Sequence, residues 1–356
     1  MISSEFWKGK KVFLTGHTGF KGSWTAIWLS SMGAIVKGYA LAPLTSPNLF
    51  DATRVSGLIE SEFNDVRNYS ALSHSILTFS PDIVLHMAAQ PLVRASYKAP
   101  IETYEVNVMG TVNLLNAIRQ CPSIRAVVNV TTDKCYENKE WHWGYRENEP
   151  MGGRDPYSSS KGCSELVTAA YRDSYLLSSG IGVATARAGN VIGGGDWAED
   201  RLIPDTLKAF EVGRPVIVRN PLATRPWQHV LEPISGYLML AERLFSEPSK
   251  FSSGWNFGPS DEDVQSVGWI IDNMTKLWPG ASWILDQDSN PHEAMLLKLD
   301  ISKAAAGLNW TPTWTLRETL ICIVNWHKLW KGNNDMSYVC LNEINEYCKD
   351  MKNGNN

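Results

Sequence analysis

Long hydrophobic runs are missing from this 356-residue chain. None approaches the roughly 20 apolar residues that span a bilayer, and the opening MISSEFWKGKKVFLTG holds no stretch long enough for the core of a secretory signal. The expectation is a cytoplasmic protein with no membrane partner. Cysteine is sparse: six residues, at 121, 135, 163, 322, 340 and 348, with no CxxC pair and no Cys-His cluster. That spacing excludes a zinc site and a disulfide framework, so six reduced thiols and no metal are expected. Charge of one sign is lacking too, since 33 Lys and Arg stand against 37 Asp and Glu, for a net charge of -4. This balance gives no general attraction for nucleic acid or an anionic membrane, and leaves room for a local basic pocket around a phosphorylated ligand. Internal repeats and low-complexity linkers are also absent.

What is present is enough apolar sequence, 44% of residues, to bury a large core. Lys11 to Thr15 is a short apolar strand that runs into GHTGFKG and then into a helix marked by Trp24, Ile27 and Trp28. Further strands are predicted at 35–40, 82–87, 125–131 and 182–187, with a helical stripe at Val108, Val112, Leu115 and Ile118 between two of them. Strands alternating with helices imply an α/β fold, a doubly wound (Rossmann-type) parallel sheet. After residue 187 the texture changes to loops rich in Gly, Pro, Asp and Trp, with a short helix near 204–212 and a strand at 215–218. The division expected is a dinucleotide-binding domain over 1–187, rejoined by about 226–258. A smaller substrate-binding lobe takes 188–225 and 259–330, and 331–356 form a C-terminal helix and tail, the helix carrying Met336, Cys340, Ile344, Tyr347 and Met351 on one stripe.

Gly16, Gly19 and Gly22 form GxxGxxG between a strand and a helix, where backbone amides and the helix dipole can hold a pyrophosphate. The bland alternative, a structural glycine turn, loses weight because the flanking elements are the right ones. An Asp or Glu for the adenosine ribose is expected about 20 residues later, yet the second strand ends Gly38-Tyr39-Ala40-Leu41 with no acid and no following Arg. The choice between NAD and NADP therefore stays open on these residues. Asp65, at the expected end of the third strand, either accepts the adenine amino group or caps a turn.

The second constellation is Thr132-Asp133-Lys134 after an apolar strand, followed by Tyr157 and Lys161 at i, i+4 helical spacing. An ammonium one turn away lowers a phenol's pKa and makes the phenolate available as a base. YxxxK alone is a weak signal. Its weight comes from Thr132, because in a parallel sheet the strand ends gather at one rim, beside the glycine turn.

TGHTGFKGSW at 15–24, HMAAQ at 86–90, TTDKCY at 131–136, YSSSK at 157–161, ARAGNVIGGGDW at 186–197 and LKLDISKA at 297–304 together resemble the extended short-chain dehydrogenase/reductase family, over about 11–320. Within it they are similar to the branch that dehydrates CDP-sugars. The resemblance implies Tyr157 and Lys161 as the redox pair, Thr132 bonded to the sugar, Asp133 as the acid, and Asn107 near the nicotinamide. It places the cofactor among the glycines with His17, Thr18 and Phe20, beside Asp65 and Val66, and against Ala88, Ala89 and Gln90. The implied reaction is dehydration of CDP-glucose. Tyr157 deprotonates the 4-hydroxyl as carbon 4 is oxidised, water leaves across C-5 and C-6, and hydride returns to C-6. This redox-neutral cycle needs an oxidised cofactor at the start, which favours NAD. A homodimer through helices at 101–120 and 157–175, or a homotetramer, is implied, as is a product for deoxysugars of bacterial surface polysaccharide.

Related dTDP-glucose dehydratases carry Glu as the third member of the triplet, where this chain has Lys134. Either burial among cations keeps Lys134 neutral and able to take the C-5 proton, or the ammonium stabilises the enolate while another group, such as Tyr157, moves the proton. Asn190, Arg225, His229 and His292 are the candidates for the nucleotide-sugar, Arg225 being the diphosphate contact, with an αL turn at Asn190 and loop-carbonyl capping by Arg225 as the plain alternatives. Trp197 and Trp227 are pocket candidates, whereas Trp24 and Trp28 read as core and His86 as structural. Asp261, Glu262 and Asp263 read as the first turn of a helix. A sugar-nucleotide 4-epimerase, which does not need Asp133, and a non-catalytic dinucleotide sensor are the competing functions.

Overall fold

The computed structural model describes residues 1–287 and 295–353. Its centre is a seven-stranded sheet built from β1 (Lys11–Thr15), β2 (Ile35–Ala40), β3 (Glu60–Phe63), β4 (Ile83–His86), β5 (Ala126–Val130), β6 (Gly182–Ala188) and, later in the chain, a strand at Gly254–Phe257. All pairings in this sheet are parallel. The remaining strands are β7 (Asn190–Ile192), β8 (Val216–Val218), β9 (Thr224–His229), β11 (Val264–Ser266) and β12 (Trp283–Leu285), so that Gly254–Phe257 is β10.

The order β10-β6-β5-β4-β1-β2-β3 reverses direction between β1 and β4. At such a switch point the crossovers leave in opposite directions and open a crevice at the carboxyl ends of the strands. Alternation along the strands feeds two cores: Val12 and Leu14 enter one with Trp24, Trp28, Leu240 and Leu244, while Phe13 enters the other with Leu72, Ile76, Leu114 and Ile118. Each core caps one face of the sheet, as the near-continuous apolar strands require.

The small lobe has its own apolar cluster, including Ile192, Leu207, Phe210, Trp227, Ile270 and Leu320. It contains the three-stranded sheet β11-β9-β7 and the parallel pair β12-β8. β9 crosses the expected border at 226 and pairs with β7 and β11, so the chain returns to the large sheet only with the helix Leu231–Ser246. The acidic run Asp261–Asp263 forms a 3₁₀ turn leading into β11 rather than the first turn of a helix, and Asp263 accepts from the amide of Leu316 at 3.0 Å, capping the helix Leu316–Lys331. The last helix, Met336–Asn353, packs Tyr347 edge-on against Trp28 of the helix Phe20–Ser31, ring centroids 5.7 Å apart. Among the described residues no helix is long and apolar enough to cross a membrane.

Candidate active site

The glycine turn is packed so tightly that side chains are excluded. A Cβ on Gly22 would lie 2.1 Å from the carbonyl oxygen of Gly16, and one on Gly16, whose φ is +78°, would lie 2.7 Å from the amide of Ala88. Gly19 caps the helix Phe20–Ser31 without a side chain, so the first-turn amides face outward with the positive end of the helix dipole behind them. A cradle of this shape fits the pyrophosphate of a dinucleotide. Around it, Thr18 donates to Leu41 O at 2.8 Å, and Ala88 N donates to Thr15 Oγ1 at 3.1 Å. The His17 ring is buried against Phe50 and Phe63, and burial pushes its pKa down to about 4. Phe20 and Ala89 are partly exposed at the same edge, and Val66 is buried under Gly110.

Asp65 has another employment. Its carboxylate takes Nε and Nη2 of Arg67 at 2.9 and 2.6 Å and the Arg67 amide at 2.8 Å, an arrangement that closes the turn after β3. This is the arrangement of the capping alternative, and the carboxylate stays partly exposed, at 24%. His86 is held by Thr15 at 2.7 Å, and its pKa is pushed down to about 3, first by burial and then by Lys161, a neutral structural ring.

On the other side of the switch point β5 ends at Val130, and Thr132 opens a 3₁₀ turn over Asp133–Cys135. Thr132 donates to Asp133 Oδ1 at 2.9 Å, and Lys134 Nζ stands 3.5 Å from the same oxygen. Asp133 is wholly buried and its Oδ2 has no hydrogen-bond partner among the described residues, whereas the Lys134 side chain is about 30% exposed. The helix Pro156–Tyr171, capped by Asp155, then brings Tyr157 and Lys161 to the same rim. Burial pushes the Tyr157 phenol up to about 12, while Thr132 and Arg201 pull it down. The lowering expected from Lys161 does not figure among these influences. Lys161 donates instead to Val130 O at 3.1 Å, and burial pushes its pKa down to about 8. Asn107 clamps the third side: Oδ1 accepts from Gln90 N at 2.9 Å, and Nδ2 donates to Gln90 O at 3.1 Å and to Ser160 at 2.9 Å.

The structure therefore gathers Thr132, Asp133, Lys134, Tyr157, Lys161, Asn107 and the glycine turn at one rim. Residues not anticipated join them. Lys21, inside TGHTGFKG, has its pKa pushed down to about 7, by burial first and then by Lys161 and Arg201, while Asp133 pulls it up. Arg201, paired with Asp196 at 2.8 Å, faces the Tyr157 phenol. Spacing signals neither one: Lys21 hides among glycines and Arg201 lies in a loop.

The substrate candidates separate. Asn190 starts β7 with a buried Oδ1 that has no hydrogen-bond partner among the described residues, available to a ligand. Arg225 donates to the carbonyls of Thr224 at 2.9 Å and Met295 at 3.4 Å, as the capping alternative requires. His229 is corrected: its ring is fully buried between Trp24 and Trp314, with Nε2 3.0 Å from Glu343, so it belongs to the core. Trp227 donates to Gln265 O inside the lobe, and Trp197 packs on Trp326 and Trp330, so neither presents a free face as expected. His292 and Glu293 lie outside the described residues.

A family model described as GDP-mannose 4,6 dehydratase matches residues 13–321. The chain belongs to this family. One relative in it, CDP-glucose 4,6-dehydratase of Salmonella typhimurium, is 59% identical over 353 residues, 98% of each chain. The dTDP-glucose 4,6-dehydratase of Xanthomonas campestris pv. campestris is 25% identical over 88% of this chain and 92% of its own. Solved structures share the fold: UDP-glucose 4-epimerase from Thermotoga maritima superposes with a TM-score of 0.79 at 18% identity, over 90% of this chain and 99% of that one. A dTDP-glucose 4,6-dehydratase from Bacillus anthracis, in complex with NAD, gives 0.75 at 20% identity, over 90% and 97%. These structures share the fold described above, and the residues gathered at the rim of β1, β4 and β5 form the candidate active site.

Proposed function

We infer that this chain is an NAD-dependent hydro-lyase that converts CDP-D-glucose to CDP-4-keto-6-deoxy-D-glucose. The single observation that carries the reading is the buried Asp133 beside Thr132, on the same rim as Tyr157 and Lys161. A plain redox enzyme or epimerase has no use for that carboxyl. The 59% identity to a CDP-glucose 4,6-dehydratase supports the nucleotide and the sugar.

NAD+, when bound, would supply reversible hydride acceptance, which keeps the cycle redox-neutral. The glycine turn and the amides of the helix Phe20–Ser31 would hold its pyrophosphate, and Asn107, through Gln90 and Ser160, braces the loop after β4. Tyr157 takes the proton of the sugar's 4-hydroxyl, with Thr132 and Arg201 stabilising the phenolate that does so. The resulting 4-ketone acidifies C-5. Asp133, wholly buried, is read as the acid that donates a proton to the departing 6-hydroxyl. Lys134, 3.5 Å from Asp133 and partly solvated, is read as a cation that stabilises the enolate, with proton removal at C-5 left to a second group on the rim. Asn190 is read as a substrate contact and Arg225 as a support for the loops around it.

We also propose a homodimer. Ile101, Met109, Leu166 and Tyr175 are 75%, 51%, 61% and 44% exposed on the two helical segments named above, and an apolar face of that kind supports association. The function is tested by incubating the protein with NAD+ and CDP-glucose and identifying the product. A 4-keto-6-deoxy sugar nucleotide is expected; recovery of CDP-glucose or its 4-epimer would contradict the reading.

A further inference from the structure

Beneath the rim lies a buried charge pair that the reaction as described does not use. Glu165, one helical turn after Lys161, is enclosed between the helix Pro156–Tyr171 and the sheet, and its carboxylate is fully occupied. Oε1 accepts from Thr131 Oγ1 and from Arg187 Nε at 3.0 Å; Oε2 accepts from Thr185 Oγ1 at 2.6 Å and Arg187 Nη2 at 2.8 Å. Arg187, on β6, extends the network through Nη1 to Tyr136 Oη at 2.7 Å and to the Glu147 carbonyl at 3.0 Å. Tyr136 in turn donates to Asn256 on β10 at 2.7 Å. Thr131 and Tyr136 flank the Thr132–Cys135 turn, so one carboxylate ties that turn to the helix carrying Tyr157 and Lys161.

We propose that Glu165, clamped by Arg187, is a positioning residue that keeps Lys161 protonated and holds the Thr132–Asp133 turn in register with Tyr157. The inference rests on the reading of Tyr157 and Lys161 as the redox pair. Lys161 is almost wholly buried and has one hydrogen-bond acceptor among the described residues, the Val130 carbonyl, so nothing in that bond alone secures its charge. The groups facing it are Lys21 from the helix Phe20–Ser31, His86 from β4, Cys135 from the turn and Glu165 from its own helix. Lys21 opposes its charge, His86 is neutral, and burial pushes the Cys135 thiol up, which leaves it uncharged. Glu165 is therefore the one anion of the set, and the strongest influence raising Lys161 against burial. Its carboxylate is paired with an arginine and two hydroxyls, so the negative charge is held in place beneath Lys161.

The sign follows. Removing the negative charge lowers the pH at which Lys161 loses its proton, so the active form disappears earlier on the alkaline side. The test is made on full-length protein labelled with ¹³Cε-lysine, the Lys161 resonance being assigned by its loss in Lys161→Met. Its titration midpoint is expected near 8 in the unmodified protein and lower by about one unit or more in Glu165→Gln. The alkaline limb of kcat/KM for CDP-glucose should move down by the same amount. Glu165→Asp, which keeps the charge on a shorter stem, should lose rate while its limb stays at the original pH. A midpoint unchanged in Glu165→Gln, with rates lowered equally at all pH values, would overturn the proposal in favour of simple structural support. Should Glu165→Gln not fold, Glu165→Met removes the same charge with an apolar side chain of similar length and carries the same titration, with an unshifted midpoint again the contrary result. Because the resonance is read without substrate, a wrong assignment of the reaction shows itself separately, as an unmodified protein that titrates as stated and does not convert CDP-glucose.

Discussion

Thr132 donates its hydroxyl to Oδ1 of Asp133 across 2.9 Å, which turns the other, fully buried oxygen of that carboxyl away from any described partner. One oxygen is oriented and the other is available to exchange a proton. Asp133→Asn keeps the shape and the Thr132 bond while removing the acid. Elimination should fall by about 10²- to 10⁴-fold, the range typical of a lost general acid, while oxidation at C-4 persists and reduced cofactor accumulates. Stopped-flow absorbance of the reduced cofactor checks this; equal loss of both steps would contradict the role.

Lys134→Met separates the electrostatic role from a merely local one. With the cation gone the enolate loses its stabilisation, so water loss should slow by about 10- to 10³-fold while the first hydride transfer stays near its original rate. Single-turnover measurements of the two steps decide it. A parallel fall in both would remove Lys134 from the chemistry.

Gly22→Ala tests the cradle. The new Cβ would sit 2.1 Å from the Gly16 carbonyl oxygen, so the turn must open and the first-turn amides must move. NAD+ binding, measured by isothermal titration calorimetry on protein whose circular dichroism is native, should weaken at least about tenfold, a loss of roughly 1.4 kcal/mol. Unchanged affinity would place the pyrophosphate elsewhere.

Glu232 gives a stability prediction away from the rim. It is buried at the start of the helix Leu231–Ser246, accepts from the amides of Thr313 and Trp314, at 3.1 and 2.7 Å, and from Tyr347 at 2.6 Å, and so tethers the last helix. Burial pushes its pKa up to about 7 from 4.5. The folded state thus binds the extra proton between those values, and its contribution is fully present below pH 4.5 and is lost as pH rises through 7. The swing is about 3 kcal/mol. Glu232→Gln should abolish this slope, so that the Tm gap between the unmodified protein and the variant narrows from pH 5 to pH 8; a gap independent of pH would show that Glu232 does not titrate as stated.

The sheet was legible because most of its strands are short apolar runs separated by helical stripes, the pattern of a parallel sheet with helices packed on it. β8 was legible as a strand but not its partner: β12, Trp283–Leu285, pairs with it across more than sixty residues, and pairings at that distance leave no local mark. At the site, the placement of Tyr157 and Lys161 one turn apart on a single helix could be read from their spacing. Lys21 and Arg201 could not, because their role comes from what folding places beside them. His229 misled for the complementary reason. A histidine in a loop-rich stretch reads as a ligand, until the fold encloses it between Trp24 and Trp314.

The most direct test of the account follows a single atom. CDP-glucose carrying deuterium at C-4 is incubated with the protein and NAD+, and the product is examined by NMR. The account predicts a 4-keto-6-deoxy product with the deuterium at C-6, carried there within one active site as water leaves across C-5 and C-6. Deuterium returned to C-4, with or without inversion, would contradict it.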